Sequence, residues 1–260
     1  MEVPKLLYKF RAPTIQDIIN LSTGNIWFSA PDRFNDPFDC AYDVVLNDFT
    51  REQCIAILAK YDERNESSVA HLSDAVLKQQ IPAGLTTATA DALKRVGGVS
   101  CFSEVRDNLL LWGHYADGHK GFCLEFETSK SDLFSKARQV RYQDALPRLN
   151  AELFLKDSLE PVMSLLLTKA KCWEYEREWR IFHQEGQRTY PHGRAGLAGI
   201  YFGAKMPDEQ IIMIASHLWQ TDTKLFRMRL DTSRFELVAE PLPEILWQDY
   251  RGGGSTGQNY

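Results

Sequence analysis

The chain has 260 residues, 44% hydrophobic and 25% charged, with a formal net charge of −5. That length suits one large domain and the apolar share suffices for a buried core. The mild acidity excludes an obvious nonspecific grip on nucleic-acid phosphates, which requires an excess or a patch of Lys and Arg.

No run of about eighteen apolar residues occurs, so no membrane span is expected. Cys40, Cys54, Cys101, Cys123 and Cys172 are odd in number, widely spaced and form no CxxC pair. That pattern argues against a zinc site or a disulfide framework and for free thiols in a reducing compartment. Met1–Lys9 lacks an apolar leader, so the expected location is the cytoplasm.

Leu6–Arg11 reads as a short aromatic strand. Thr14 is a suitable N-cap for a helix over Ile15–Leu21 that buries Ile15, Ile18, Ile19 and Leu21 and ends at Gly24. Ile26–Ala30 is a second strand, followed by the turn-rich Pro31–Asp39. From about Thr50 to Arg95 the pattern is helical, with Arg51–Tyr61, Ser73–Gln80 and Thr89–Arg95 as separate helices of an insertion.

Val99–Ser103 is a strand, Asn108–Ala116 a helix stopped by Asp117-Gly118, and Gly121–Glu127 a strand. Val140–Tyr142 suits an edge strand, and Ala145–Lys171 a long helix divided or kinked at Pro161. Glu178–Phe182 and Leu197–Phe202 are strands, and Pro207–Leu218 is a helix with Pro207 in its first turn. Leu225–Leu230 and Phe235–Ala239 complete the strands. The pattern predicts a single α+β domain over residues 1–250, with the insertion at about 50–95 and a flexible Gly-rich tail at 251–260.

Four segments combine polar groups with large aromatics beyond what a core needs. In Tyr8-Lys9-Phe10-Arg11, strand alternation puts Tyr8 and Phe10 on one face and Lys9 and Arg11 on the other. Two cations sharing a face suit a phosphate or carboxylate, or else form an exposed face with snorkelling stems. Phe34-Asn35-Asp36-Pro37-Phe38-Asp39 is either a structural turn or a loop bordering a pocket. Trp112, His114, Tyr115, Asp117, His119 and Lys120 form a dense polar run. His114 and His119 are five apart, a poor spacing for metal ligands on one helix face, so no metal is expected. Stacking of a ligand ring on Trp112 or Tyr115 is one use of this segment, and hydrogen-bonded structural histidines are the other. In Glu174-Tyr175-Glu176-Arg177-Glu178-Trp179-Arg180, an extended chain would place three carboxylates on one face. Such a row needs cations to answer it, from Lys9, Arg11, Arg177 or Arg180. It reads as a structural ion-pair network or as a carboxylate placed against developing positive charge.

In chain order, Leu7–Arg11, Trp27-Phe28-Ser29, Phe34–Asp39, Cys101–Glu104, Trp112–Ala116, Glu176–Arg180 and Phe202-Gly203 resemble a bacterial family carried as a domain of unknown function. Some of that family's relatives are linked to abortive-infection phage defence. The family in turn is remotely similar to ADP-ribosyltransferases. That resemblance implies a split antiparallel β-sheet core with flanking helices and NAD as substrate. It implies Glu178 as the carboxylate that stabilises the ribosyl cation and Glu176 as the group that orients or deprotonates the acceptor. Arg11, or Lys9, would hold the pyrophosphate. Tyr8, Ser29, Ser103, Trp112, His114 and Tyr115 would complete the NAD site. This chain has Lys-x-Arg where many relatives of that fold have His-x-Thr or Arg, and Ser-Cys-Phe-Ser where the middle strand is Ser-Thr-Ser.

The implied activity is ADP-ribosyl transfer or NAD hydrolysis by a defence effector or toxin, with a protein, a nucleic acid or water as acceptor. Two alternatives stay open at this point. One is a nuclease or phosphodiesterase using His114 and His119. The other is a non-catalytic nucleotide-binding or antitoxin-like module working with a neighbour-encoded partner protein.

Overall fold

A computed structural model describes residues 2–61, 65–156, 159–218 and 221–243. The tail expected to be flexible lies outside the described residues. The strands are β1 (Leu6–Arg11), β2 (Asn25–Phe28), β3 (Gly98–Ser103), β4 (Phe122–Glu127), β5 (Arg138–Gln139), β6 (Arg141–Gln143), β7 (Thr168–Ala170), β8 (Glu178–His183), β9 (Arg188–Pro191), β10 (Leu197–Phe202), β11 (Lys224–Leu230) and β12 (Leu237–Pro241). The helices are α1 (Ile15–Thr23), α2 (Arg51–Tyr61), α3 (Glu66–Ala70), α4 (Asp74–Val96), α5 (Leu109–Tyr115), α6 (Ala151–Leu155), α7 (Glu160–Leu166) and α8 (Asp208–Ser216).

Eight strands form one mixed, mostly antiparallel sheet in the order β12-β11-β10-β4-β1-β3-β8-β5, with β10 and β11 parallel. Two small ladders, β2-β9 and β6-β7, flank it. Its centre is uneven. β1 pairs with β4 along its whole length, from Leu6↔Glu127 to Arg11↔Phe122, and β3 pairs with β8 from Gly98↔His183 to Ser103↔Glu178. Between β1 and β3, however, the only register pair is Tyr8↔Ser103. The two strands meet there and then part, and the Lys9 side chain bridges the gap to Ser100 and Cys101.

The alternation of β1 sorts the layers. Leu7 packs in a core with Phe102, Phe126 and Phe134 on one face. Tyr8 and Phe10 pack on the other with Trp112, Ala116 and Tyr201. Asn108 caps α5 through bonds from the Leu110 and Leu111 amides. Asp117, Gly118 and His119 then take positive φ values of 48°, 60° and 71°, so the turn into β4 uses three left-handed residues. A Cβ on Gly121 would collide with the Arg11 carbonyl, which is why the end of β1 can lie so close to this turn.

The segment from 51 to 96 has its own apolar cluster, in which Ile57, Leu58, Leu77, Ile81 and Leu85 meet Leu149, Phe154 and Leu165. Two expected helices here are one. α4 runs through Pro82, because the buried stripe Leu77, Ile81, Leu85, Ala88, Ala92 and Val96 continues past the ring, and its packing outweighs the lost hydrogen bond. The helical pattern over 145–171 divides at Pro161 as expected, into α6 and α7 with Pro161 in the first turn of α7, but Thr168–Ala170 is extended rather than helical and pairs with β6. In α1, Ile15 and Ile19 are 80% and 47% exposed, while Leu21 is buried and Ile18 half-buried, so the apolar face is narrower than the pattern suggested. Pro207 caps α8 from outside rather than sitting in its first turn, and the last strand starts at Leu237, leaving Phe235 exposed.

Candidate functional site

The gap between β1 and β3 opens into a cavity of about 290 Å³. That lies at the low end of the roughly 300–1,000 Å³ of ligand pockets, enough for part of a dinucleotide. Strands β1, β2 and β3 supply Tyr8, Lys9, Arg11, Trp27, Cys101 and Ser103, and Ser29 follows β2. The turn-rich loop after β2 adds Arg33, Phe34, Asn35 and Asp39. Tyr115 comes from α5, Lys169 from β7, Glu176 from the turn that leads into β8, and Glu178 and Arg180 from the start of β8.

The carboxylates do not line up as an extended chain would place them. Residues Lys171–Glu176 form a 3-10 helix and Arg177 is left-handed with φ 45°, so Glu174 and Arg177 are exposed while Glu176 and Glu178 turn inward. Ser103 fixes this turn, donating its hydroxyl proton to the Glu176 carbonyl at 2.6 Å.

The two carboxylates are answered by Lys169 and Arg180. Lys169 Nζ lies 2.6 Å from Glu176 Oε2 and 3.4 Å from Glu178 Oε2. Arg180 donates through Nε to Glu178 Oε1 at 2.7 Å, through Nη2 to Glu178 Oε2 at 3.1 Å and to Asp39 Oδ1 at 2.9 Å, and through Nη1 to the Leu166 carbonyl at 2.8 Å. Its guanidinium also covers the Phe34 ring. Lys9 and Arg11 take no part in this network. Arg11 pairs with Asp17 at 3.4 Å, and Thr14, which caps α1, holds that aspartate.

The pair is electrostatically unequal. Burial pushes the Glu178 carboxyl up, but Arg180 and then Lys169 outweigh it and hold it down to about 2. Burial also pushes Glu176 up, and there Lys169 and the Tyr115 hydroxyl, which donates to Oε1 at 2.7 Å, do not reverse it. Two neighbouring carboxylates thus differ in proton affinity, the separation that assigns one as a fixed charge and the other as an acid or base. Three carboxylates at the cavity floor (Asp39, Glu176, Glu178) face two cations (Lys169, Arg180), leaving one formal negative charge when all are ionised.

Of the residues expected at a site, Tyr8, Lys9, Arg11, Ser29, Ser103, Tyr115, Glu176 and Glu178 all line this cavity. Trp112 and His114 do not. Trp112 is fully buried, its Nε1 donating to the Arg106 carbonyl at 2.6 Å and its ring packed on Phe10. His114 is exposed beside Trp173, and His119 stacks on Trp112. Sequence reasoning missed Lys169, Arg33 and Trp27 as lining residues. Asp39 and Phe34 were signalled by the turn-rich loop, and Arg180 by the need for a cation near the glutamates. Among the described residues no group of three or more His, Cys, Asp or Glu could hold a metal ion, and no helix is long and apolar enough to cross a membrane.

A family model described as a protein of unknown function (DUF2971) matches residues 111–181. The matched segment contains Tyr115, Lys169, Glu176, Glu178 and Arg180, the acidic half of the cavity, and leaves out β1 and the loop after β2. No curated protein and no solved structure matches the chain.

Proposed function

We propose that the cavity binds NAD and that the protein breaks its nicotinamide–ribose bond, as an ADP-ribosyltransferase or NAD glycohydrolase built on an ADP-ribosyltransferase-like split sheet. The observation that supports this reading is the pairing of Glu176 and Glu178, of unequal proton affinity, across a parted sheet from the cation Arg11. Cleavage of that bond passes through an oxocarbenium-like state, which a fixed negative charge favours. Glu178, ionised and held by Arg180 and Lys169, supplies the charge. Glu176, with its raised proton affinity and its bond from Tyr115, takes the proton of the attacking water or acceptor. Arg11 and the exposed Arg33 neutralise the pyrophosphate, and Trp27 and Phe34 supply aromatic surface for a ring.

One observation favours a second reading, a nucleotide-binding module without turnover. Both Glu178 oxygens are already engaged by Arg180 and Lys169, so a direct bond to ribose needs that clamp to loosen. A defence role, a toxin's acceptor and a partner protein would all follow from the activity rather than precede it. Neither His114 nor His119 lines the cavity, so nothing in the geometry favours the nuclease. Chromatography of NAD incubated with the protein and a cell extract separates the two: free nicotinamide supports the enzyme, whereas saturable NAD binding with no nicotinamide supports the module.

A further inference from the structure

Lys9 is a lysine in an unusual position. It is 7% exposed, yet its side chain lines the cavity. Among the described residues no carboxylate lies within ion-pair distance of it. Its Nζ spans the gap between the parted strands instead, donating to Ser100 Oγ at 2.8 Å and to the Cys101 carbonyl at 2.9 Å, above the Phe102 ring. All of these partners are neutral. The charged neighbours are one cation on its own strand, Arg11, and more distant acids, Asp17 from α1 and Glu178 from β8, with the Cys101 thiol on β3. A buried ammonium that lacks an anion is expelled toward its neutral form, and burial, reinforced by Arg11, brings Lys9 down to about 7.

We propose that Lys9 is a nucleophilic amine that condenses with the aldehyde of a phosphorylated ligand, whose phosphate is held by Arg11 and Arg33. The reaction is balanced without any further reactant. The Nζ lone pair attacks the carbonyl carbon and the C=O π electrons move to oxygen. A proton passes from nitrogen to that oxygen, and water then leaves to give the imine. Hydrolysis runs the same steps backwards. Ring-opened phosphorylated aldoses carry both groups that the site addresses, an aldehyde and an anion. The inference uses the same cavity as the proposed NAD chemistry but does not depend on NAD being cleaved.

The test uses pyridoxal 5′-phosphate, an aromatic aldehyde phosphate, at one equivalent to the full-length protein, trapped with borohydride and mapped by peptide mass spectrometry. At pH 7.5 the neutral fraction of an amine near 7 exceeds that of an ordinary lysine by on the order of 10²–10³-fold. The expected result is one dominant adduct on the Lys9 peptide, forming with a midpoint near pH 7, suppressed by excess ribose 5-phosphate and lost in Lys9→Met. Should Lys9→Met fail to fold, the wild-type map decides alone. Label spread over surface lysines with the Lys9 peptide unmodified overturns the proposal, as does labelling of Lys9 that rises only toward pH 10. Nicotinamide release from NAD, measured on the same preparation, is a separate readout, so loss of either claim leaves the other standing.

Discussion

Arg180 lies two residues after Glu178 on the same strand, and its Nε and Nη2 close on the two carboxylate oxygens of that glutamate at 2.7 and 3.1 Å. Alternate residues of a strand share a face, so the pair is set by the local sequence and completed by Asp39 from the loop after β2. Removing the guanidinium leaves three buried carboxylates, Asp39, Glu176 and Glu178, with Lys169 as the cation that answers them. Arg180→Met is therefore expected to cost about 3–5 kcal/mol of stability, measured by urea unfolding. Arg180→Lys should recover little of it, because an ammonium cannot reproduce the two-pronged contact together with the bonds to Asp39 and the Leu166 carbonyl.

Acid titration gives a second expectation. The folded state holds Glu178 at about 2 against an ordinary 4.5, so its contribution is full above about pH 4.5 and is lost as pH falls toward 2. That contribution is about 3 kcal/mol. Glu176 is shifted the other way and offsets part of it. Unfolding free energies measured from pH 6 to pH 2.5 should fall less steeply in Glu178→Gln and more steeply in Glu176→Gln than in the wild type.

Lys9 gives the opposite limb. Its folded proton affinity lies below the unfolded one, so folding is penalised wherever the amine is protonated, and stability rises with pH between about 7 and the unfolded 10.5. Between pH 7 and 9.5 the rise due to this residue is roughly 2–3 kcal/mol. Lys9→Met should be more stable than the wild type at pH 7 and should lack this rise, as denaturant titrations at the two pH values would record.

How much of this was legible in the sequence depended on the range of the causes. β1 and β10 form where short runs of apolar and aromatic residues predict them, and the caps at Thr14, Gly24 and Asn108 are local chemistry. The sequence pattern reads α4 as two helices, Ser73–Gln80 and Thr89–Arg95, whereas the buried stripe that joins them through Pro82 is a tertiary property. Lys169 was hidden in what resembled a helix. Nothing in its neighbours marks a buried lysine, and only the fold brings β7 beneath Glu176 and Glu178. Trp112 had the composition of a stacking residue, but α5 turns it into the core under Phe10. The parting of β1 from β3, which makes the cavity, is a register property that no single segment encodes.

Tyr115 couples the core to the chemistry. Its hydroxyl bond is one of the contacts that restrain the upward shift of Glu176. Tyr115→Phe should therefore raise the Glu176 proton affinity and move the acid limb of any NAD-cleaving activity to higher pH, while costing about 1–2 kcal/mol in stability. A pH–rate profile of the variant beside the wild type records the shift.

Arg11 is expected to matter for binding rather than for folding. Its ion pair with Asp17 is partly exposed and contributes little, whereas a charge-assisted bond to phosphate is worth about 1.5–3 kcal/mol. Arg11→Gln should weaken binding of NAD or ADP-ribose by about 10–100-fold with a nearly unchanged melting temperature, read by calorimetric titration.

The central claim is that the Glu176–Glu178 pair, facing Arg11 across the parted sheet, breaks the nicotinamide–ribose bond of NAD. Nicotinamide release by the wild type, Glu176→Gln and Glu178→Gln, with a cell extract supplying acceptors, tests it most directly. The account predicts release by the wild type and a loss of at least about 100-fold in both variants, with NAD still bound. Equal release by all three folded proteins, or none from the wild type together with no NAD binding, would contradict it.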